Sequence, residues 1–324
     1  MKKVLITGGA GYVGTVLTSK LLYNFHKVRI FDLMLYGNEF AGNPDVESIR
    51  GDIRDGEAVA RALDGIDTVI HLACISNDPS FELNPALGRS INLTAFSPLV
   101  KAAKSAGVRR FINASSSSVY GVSDEPEVTE NTKCKPLTDY SQFKLLCEDI
   151  LNNHSSTDFE TVSVRSATVC GYSPRQRLDV IVNILTNQAY FKREMLLMGG
   201  TQLRPNIDIN DIADFYAALI NADSKIINGQ TFNYGYENYS LEELAQLVAS
   251  CFSNEIKITK KKTDDLRSYH ISSDKAKAAG FWPKRTIQNS VTQLIVAFKT
   301  GLLIDTFDNP KYYNIKMMQK LNLE

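Results

Sequence analysis

Short apolar runs and amphipathic stretches alternate along the first half of the chain. The runs at 3–7, 27–32, 67–73, 108–114 and 161–165 are bounded by turn residues and read as strands, while helical periodicity predicts helices near 12–24, 55–63, 85–106 and 140–153. Alternation of this kind builds βαβ units around a parallel sheet. Pro98 falls inside the third helical stretch and is expected to kink or break it. Beyond about residue 172 the rhythm changes to longer helices, at 179–191, 209–221, 240–252 and 286–300, separated by short strands and proline-containing turns. The expected architecture is an α/β chain, with a doubly wound parallel sheet in 1–172 and a smaller α/β C-terminal lobe in 173–324. Thr231-Phe232-Asn233-Tyr234 can return to the first sheet, so a segment near 205–235 is expected to interleave the two units.

The first strand-to-helix junction carries the most specific signal. Val4-Leu5-Ile6-Thr7 runs into Gly8-Gly9-Ala10-Gly11-Tyr12-Val13-Gly14, where Gly9, Gly11 and Gly14 form a G-x-G-x-x-G at the opening of a helix. Gly9 is expected to permit the tight turn, Gly11 to let backbone N–H groups approach a pyrophosphate, and Gly14 to bring helix and strand together. The helix N-terminus favours the negative charge. Asp32 closes the second strand 18 residues after Gly14, where a carboxylate accepts hydrogen bonds from the adenosine ribose hydroxyls. A 2′-phosphate would meet that carboxylate, and residues 33–36 hold no arginine or lysine, so NAD is expected over NADP. Strand, glycines, helix and distal acid together point to a Rossmann-type dinucleotide site.

Composition removes several alternatives. Lysine plus arginine and aspartate plus glutamate both number 36, which leaves no basic field for nucleic acid and no polybasic patch for an anionic membrane. The basic run Lys260-Lys261-Lys262 is followed closely by Asp264-Asp265 and reads as a solvated face or loop. No apolar stretch approaches the roughly eighteen residues that span a bilayer. Met1-Lys2-Lys3 leads into a strand rather than a cleavable leader, so a soluble, cytoplasmic protein is expected. Cys74, Cys134, Cys147, Cys170 and Cys251 are widely spaced, and His26, His71, His154 and His270 lack ligand spacing, so neither disulfide nor metal is expected.

Ligands of open α/β sheets bind beyond the carboxyl ends of the strands. Two segments qualify. Asn113-Ala114-Ser115-Ser116-Ser117-Ser118-Val119-Tyr120-Gly121 places hydroxyls at the end of the fourth of these strands, and Tyr140-Ser141-Gln142-Phe143-Lys144 puts a phenol and an ammonium on one helical face. The same spacing occurs at Tyr23 with Lys27 and at Tyr312 with Lys316, but only Tyr140 opens a helix soon after the serine cluster. A cation about 4 Å from a phenol, at an effective dielectric of about 20, favours the phenolate by roughly 4 kcal/mol, or about three pKa units, before desolvation reduces the gain. Ser115 reads as part of a polar capping turn, His71 as a packed strand residue, and Cys74 and Cys170 as small buried side chains.

With these residues in view, the chain resembles the extended short-chain dehydrogenase/reductase family, and within it the NAD-dependent nucleotide-sugar epimerases and dehydratases. The resemblance runs nearly end to end. It rests on Thr7-Gly8-x-x-Gly11-x-x-Gly14, Gly51-Asp52-Ile53-Arg54-Asp55, His71-Leu72-Ala73, Ser115 through Gly121, Tyr140-x-x-x-Lys144 and Arg204-Pro205-x-Ile207-x-Ile209-x-Asp211-Ile212. It implies that Tyr140 is the acid/base, Lys144 its partner and Ser116 the hydroxyl that holds the reacting sugar oxygen. For the cofactor it implies contacts from Gly8, Gly11, Tyr12, Val13 and Asp32, from Asp52 and Ile53 around adenine, and from Leu72 and Ala73 beside phosphate and ribose. Asn92 would approach from the helix it begins, and Tyr140 and Lys144 would also touch the cofactor. On the substrate side it implies Ser116, Ser117, Ser118 and Thr168, with Arg204 and Arg267 gripping a diphosphate and Arg175 and Arg177 as further candidates on the interdomain loop.

Departures from the family patterns narrow the expected reaction. The 4,6-dehydratases place an acidic pair where Ser117-Ser118 stand, fucose-synthase-type enzymes a cysteine at 118, and many galactose-type epimerases an asparagine where Thr168 stands. Phe143 replaces a common serine. The resemblance thus implies NAD chemistry at carbon 4 of a nucleoside-diphosphate hexose or deoxyhexose, 4-epimerisation first, with a 4-ketoreductase as the alternative. A non-catalytic NAD-binding protein would keep Gly9, Gly11, Gly14 and Asp32 without needing Tyr140. The resemblance also implies a homodimer built from the helical stretches at 85–106 and 140–153.

Overall fold

The computed structural model describes residues 2–123, 125–265 and 267–323. The first half of the chain supplies β1 (Lys3–Thr7), β2 (Lys27–Asp32), β3 (Val46–Arg50), β4 (Thr68–His71), β5 (Arg110–Ser116) and β6 (Glu160–Ser166). The later strands are β7 (Thr168–Cys170), β8 (Glu194–Met198), β9 (Leu203–Asp208), β10 (Gln230–Tyr234), β11 (Glu237–Ser240) and β12 (Lys257–Lys261). β10 comes back to pair with β6, completing a seven-stranded parallel sheet in the order β10-β6-β5-β4-β1-β2-β3. The order reverses beside β1, and that reversal opens the ligand crevice of a Rossmann-type sheet.

Burial on both faces explains why the central strands read as continuous apolar runs. Val4, Ile6, Ile70 and Ile112 pack beneath the helices Tyr12–Tyr23 and Ile209–Asn221, while Leu5, Val69 and Phe111 face Gly56–Leu63, Phe96–Ser105 and Asp139–Asn152. β3 escaped the periodicity because it is an edge strand whose only buried residue is Val46. The helix expected over 85–106 is instead divided into Pro85–Arg89, a π-helical turn at Ser90–Thr94, and Phe96–Ser105, preceded by the short helix Asp78–Leu83. Pro98 lies in the first turn of the last segment, where a missing N–H is tolerated. The break therefore falls just upstream of the proline.

The second lobe has its own core. β11, β9 and β7 form a three-stranded sheet and β8 pairs with β12 in parallel. Leu185, Leu197, Leu244, Val248 and Val291 join these strands to the helices Ile181–Lys192, Leu241–Ser250 and Ile287–Lys299. β9 runs directly into Ile209–Asn221, which packs on Tyr12–Tyr23, so the chain crosses from lobe to sheet and back. Among the described residues no helix is long and apolar enough to cross a membrane.

Candidate active site

The glycine turn is built differently from the expected division of labour. Gly8, rather than Gly9, makes the tight turn: its φ is +75°, and a Cβ there would lie 2.6 Å from the Ala73 nitrogen. Gly9 is needed because a Cβ would strike the Ile30 side chain at 2.5 Å. Gly14 seats the helix on the turn itself, its Cβ position lying 2.5 Å from the Gly8 carbonyl oxygen. Gly11 is the helix N-cap and offers no side-chain cap, so the N–H groups that Tyr12 and Val13 bring to the first turn are left for a ligand.

Asp32 stands across the turn, its carboxylate accepting the Ala10 N–H at 3.1 Å and the Met34 N–H at 2.7 Å. Burial raises its pKa, while those N–H groups and the charge of Arg175 pull the other way. Each oxygen keeps acceptor capacity for a hydroxyl. Ile53 is buried beside Asp52, whose carboxylate is engaged by Arg54 through Nε at 3.0 Å. Leu72 and Ala73 lead out of β4 against Gly8. Asn92 departs from expectation: it lies within the π-helical turn rather than starting a helix, and its amide accepts the Ile75 N–H at 2.8 Å and donates to the Ile75 carbonyl at 2.9 Å. It therefore positions the loop after β4. The glycine cradle, the uncapped helix start and the half-buried carboxylate together fit a dinucleotide.

Tyr140 and Lys144 lie on Asp139–Asn152, a helix started by a capping box in which Thr138 and Ser141 bond reciprocally. Lys144 is buried; its Nζ donates to the Ala114 carbonyl at 2.7 Å and sits 5.8 Å from the centre of the Tyr140 ring. Burial pushes the Tyr140 phenol up to about 12, against the pull of Lys144. Desolvation thus outweighs the lysine at this phenol, and further positive charge is required to reach the phenolate near neutrality. Lys144 is itself held protonated, since Cys74 and Tyr140 beside it offset the cost of burial.

β5 carries the serines. Ser116 Oγ accepts the Ser118 N–H at 3.2 Å and the Ser118 hydroxyl at 2.9 Å, so it caps a turn while its own proton remains free to donate. Of the two serines that follow, Ser117 Oγ lies 3.5 Å from the Tyr269 hydroxyl and Ser118 Oγ donates to Ser116. Both are buried. Ser115 donates to Glu148, whose carboxylate pairs with Arg165 at 2.7 Å; Arg165 also donates to the Tyr120 hydroxyl at 2.8 Å. This buried network joins β5, β6 and the Tyr140 helix beneath the site. His71 is packed between Phe96 and Phe111, bonds Thr7 at 2.7 Å and is driven down to about 3 by burial, which keeps it neutral.

The two arginines implied for a diphosphate do come together from distant segments. Arg204 lies on β9 and donates to Asp265 at 2.9 Å and to the Arg267 carbonyl. Arg267 forks onto the same carboxylate through Nε at 2.8 Å and Nη2 at 2.6 Å, and its Nη1 reaches Asp78. Asp265 is only half-buried, and the guanidinium groups hold it down to about 2 against its desolvation. Asp208 takes no part, capping Ile209–Asn221 instead. Sequence reasoning missed Asp78, which looks like an ordinary residue before a proline; it is buried and also accepts the Thr138 hydroxyl. Thr168 starts β7 opposite Asn206 and is partly exposed. Arg175 and Arg177 lie outside this cluster, toward Asp32 and the β4 loop, where Arg177 Nη1 bonds Ser76 at 3.1 Å.

Comparison with known proteins agrees with this geometry. The UDP-glucose 4-epimerase of Lactobacillus helveticus is 26% identical over 268 residues, which cover 76% of this chain and 81% of that protein. The UDP-glucose 4-epimerase of Corynebacterium glutamicum is 25% identical over 318 residues, covering 93% and 96% respectively. The solved structure of MoeE5 in complex with UDP-glucuronic acid and NAD matches with a TM-score of 0.81 at 26% identity, over 92% of this chain and 99% of MoeE5. Residues 4–235, well over half of the chain, match the model of the NAD dependent epimerase/dehydratase family, and the chain belongs to that family.

Proposed function

We propose that the protein inverts carbon 4 of a nucleoside-diphosphate hexose or deoxyhexose. The observation that carries this reading is Lys144, 5.8 Å from the Tyr140 ring on one helix, donating to the Ala114 carbonyl of β5, two residues before Ser116, whose own hydroxyl proton is free to donate. Bound NAD supplies a reversible hydride acceptor, held by the Gly8–Gly14 turn and Asp32. Tyr140 Oη takes the proton of the sugar's 4-hydroxyl and later returns it, and Ser116 donates to the same oxygen throughout. Lys144 holds positive charge beside the phenol. Arg204 and Arg267 anchor the diphosphate, which lets the 4-keto sugar present either face while its nucleotide stays bound. The absence of an acidic pair at Ser117-Ser118 favours this over dehydration, and the names of the two curated relatives support carbon 4.

In this reading residues 1–172, with the return near 205–235, bind cofactor and 173–324 mainly bind substrate. The protein acts in the cytoplasm as a homodimer, joined through the helical stretches 85–106 and 140–153, where Leu146 is exposed. Incubation with a panel of UDP- and dTDP-hexoses, followed by NMR of the sugar, tests the function. The expected result is inversion at carbon 4 without net change in reduced nicotinamide. Stoichiometric consumption of NADH or NADPH would replace it with the 4-ketoreductase.

A further inference from the structure

Three loops at the carboxyl edge of the sheet are tied together by one residue from the far end of the chain. Asn314, the first residue of the helix Asn314–Lys320, is buried and uses its side-chain amide and backbone N–H completely. Its Oδ1 accepts from the Tyr36 hydroxyl at 3.0 Å and from Arg175 Nη2 at 2.9 Å. Its Nδ2 donates to Ser76 Oγ at 2.9 Å, and its backbone N–H to Asp179 at 2.9 Å. Tyr36 follows β2 and Ser76 follows β4. A Rossmann-bound dinucleotide lies between those two loops, adenosine toward the first and nicotinamide toward the second. Asn314 therefore joins the two banks of the cofactor cleft.

The same junction holds two guanidinium groups that the chain does not saturate. Arg175 lies 3.5 Å over the ring of Tyr36, with Nε and Nη1 buried and without a hydrogen-bond partner among the described residues. Arg177 bonds Asp179 at 2.9 Å and Ser76 at 3.1 Å, yet its Nη2 is likewise buried and unpartnered. Buried charged donors are ordinarily matched. Arg175 is close enough to Asp32 to affect its carboxyl, and Arg177 close enough to affect Tyr140, so the pair spans the interval between the ribose and nicotinamide ends of the site. Among the described residues Asp179 is the carboxylate in an ion pair with them, and Asp32 acts on Arg175 without a direct hydrogen bond, so the three nitrogens keep unused donors. An anion with several oxygens in that interval is what the donors lack, and the cofactor's pyrophosphate has that chemistry.

We propose that Arg175, Arg177 and Asn314 form a clamp on the pyrophosphate of bound NAD, supplied by the second lobe and the C-terminal segment and closing over the cradle made by the glycine turn. Release of the cofactor then requires the Asn314 junction to open, which keeps NAD in place through repeated turnovers. The clamp rests on the family's use of NAD and accounts for the self-recycling cofactor of the proposed epimerase, but its test involves no sugar.

The purified holoenzyme is mixed with excess isotopically labelled NAD, and exchange of the bound pool is followed by mass spectrometry of the denatured protein. Asn314→Ala is expected to accelerate exchange at least tenfold. Arg175→Gln is expected to weaken NAD, NADP and ADP-ribose by a similar factor of ten or more in calorimetric titrations, with the thermal midpoint of the cofactor-free protein within a few degrees of wild type. A loss confined to NADP would move Arg175 to a 2′-phosphate site and overturn the proposal. So would wild-type exchange as fast as that of Asn314→Ala, or an Arg175→Gln protein that binds all three ligands as before. Should Asn314→Ala fail to fold, Arg175→Gln with Arg177→Gln decides the question alone.

Discussion

The cofactor cradle and the proposed diphosphate site are built by opposite means. The cradle is backbone: Gly8, Gly9 and Gly14, all in one strand-turn-helix, are required by a positive φ and by contacts under 3 Å with Ala73, Ile30 and the turn itself. The diphosphate site is side chain: Arg204 on β9, Arg267 and Asp265 sixty residues on, and Asp78 from the other layer. The cradle is therefore set by backbone packed within the first sheet, whereas the arginine cluster forms only when segments from distant parts of the chain come together. A second difference is charge. The first cleft wall offers unmatched N–H groups, while Arg204 and Arg267 meet an equal number of carboxylates in Asp265 and Asp78. In the proposed function a substrate diphosphate takes the place of carboxylates paired with these arginines.

Damage on the two sides should separate cleanly. Tyr140→Phe, between them, is expected to lower kcat about 10²–10⁴-fold while the protein still purifies with NAD, measured by steady-state kinetics and mass spectrometry. Gly8→Ala forces a Cβ against the Ala73 nitrogen at a positive φ; it should empty the protein of NAD and lower stability by about 1–3 kcal/mol, read by cofactor content and urea unfolding. Arg267→Ala should leave NAD content intact and raise KM for the nucleotide sugar about 10–100-fold, the loss of a charged hydrogen bond worth roughly 1.5–3 kcal/mol. An Arg267→Ala protein that loses NAD would show that the two sides are not independent.

Two smaller effects probe what lies beneath both sites. Ser115→Ala removes a donor to the buried Glu148 and is expected to lower stability by about 1–3 kcal/mol with KM unchanged. His71 is neutral in the fold and charges readily when unfolded, because its pKa falls from 6.5 to about 3 on burial. Below pH 6.5 the unfolded state binds the extra proton, so stability present above 6.5 is lost as pH falls toward 3, the slope approaching about 1.4 kcal/mol per pH unit. His71→Gln should flatten that slope in urea midpoints taken between pH 7 and 5.

Much of this was legible without coordinates. The central strands, the glycine motif with Asp32 at its distance, and the placement of Tyr140 and Lys144 on one helical face all follow from local periodicity. β3 was not legible, because an edge strand with one buried residue has no apolar alternation to detect. The tight turn belongs to Gly8 rather than Gly9 because the motif records where glycines stand but not which of them turns the chain and which meets Ile30. Ser117 and Ser118 are alike in sequence, and only the 3-10 turn after β5 sends Ser117 toward Tyr269 and Ser118 toward Ser116.

The primary structure settled which elements form and which chemistry the first lobe can hold, since helix and strand periods, turn glycines and an i, i+4 pair act over a few residues. Tertiary packing alone decided that burial would outweigh Lys144 at the Tyr140 phenol, that Asp78 would meet Arg267, and that Asn314 would join Tyr36 to Ser76. Each of these depends on desolvation or on contacts between residues distant in the chain. Neither quantity has a signature in local spacing, because both arise only when the two lobes exclude water from the cleft between them.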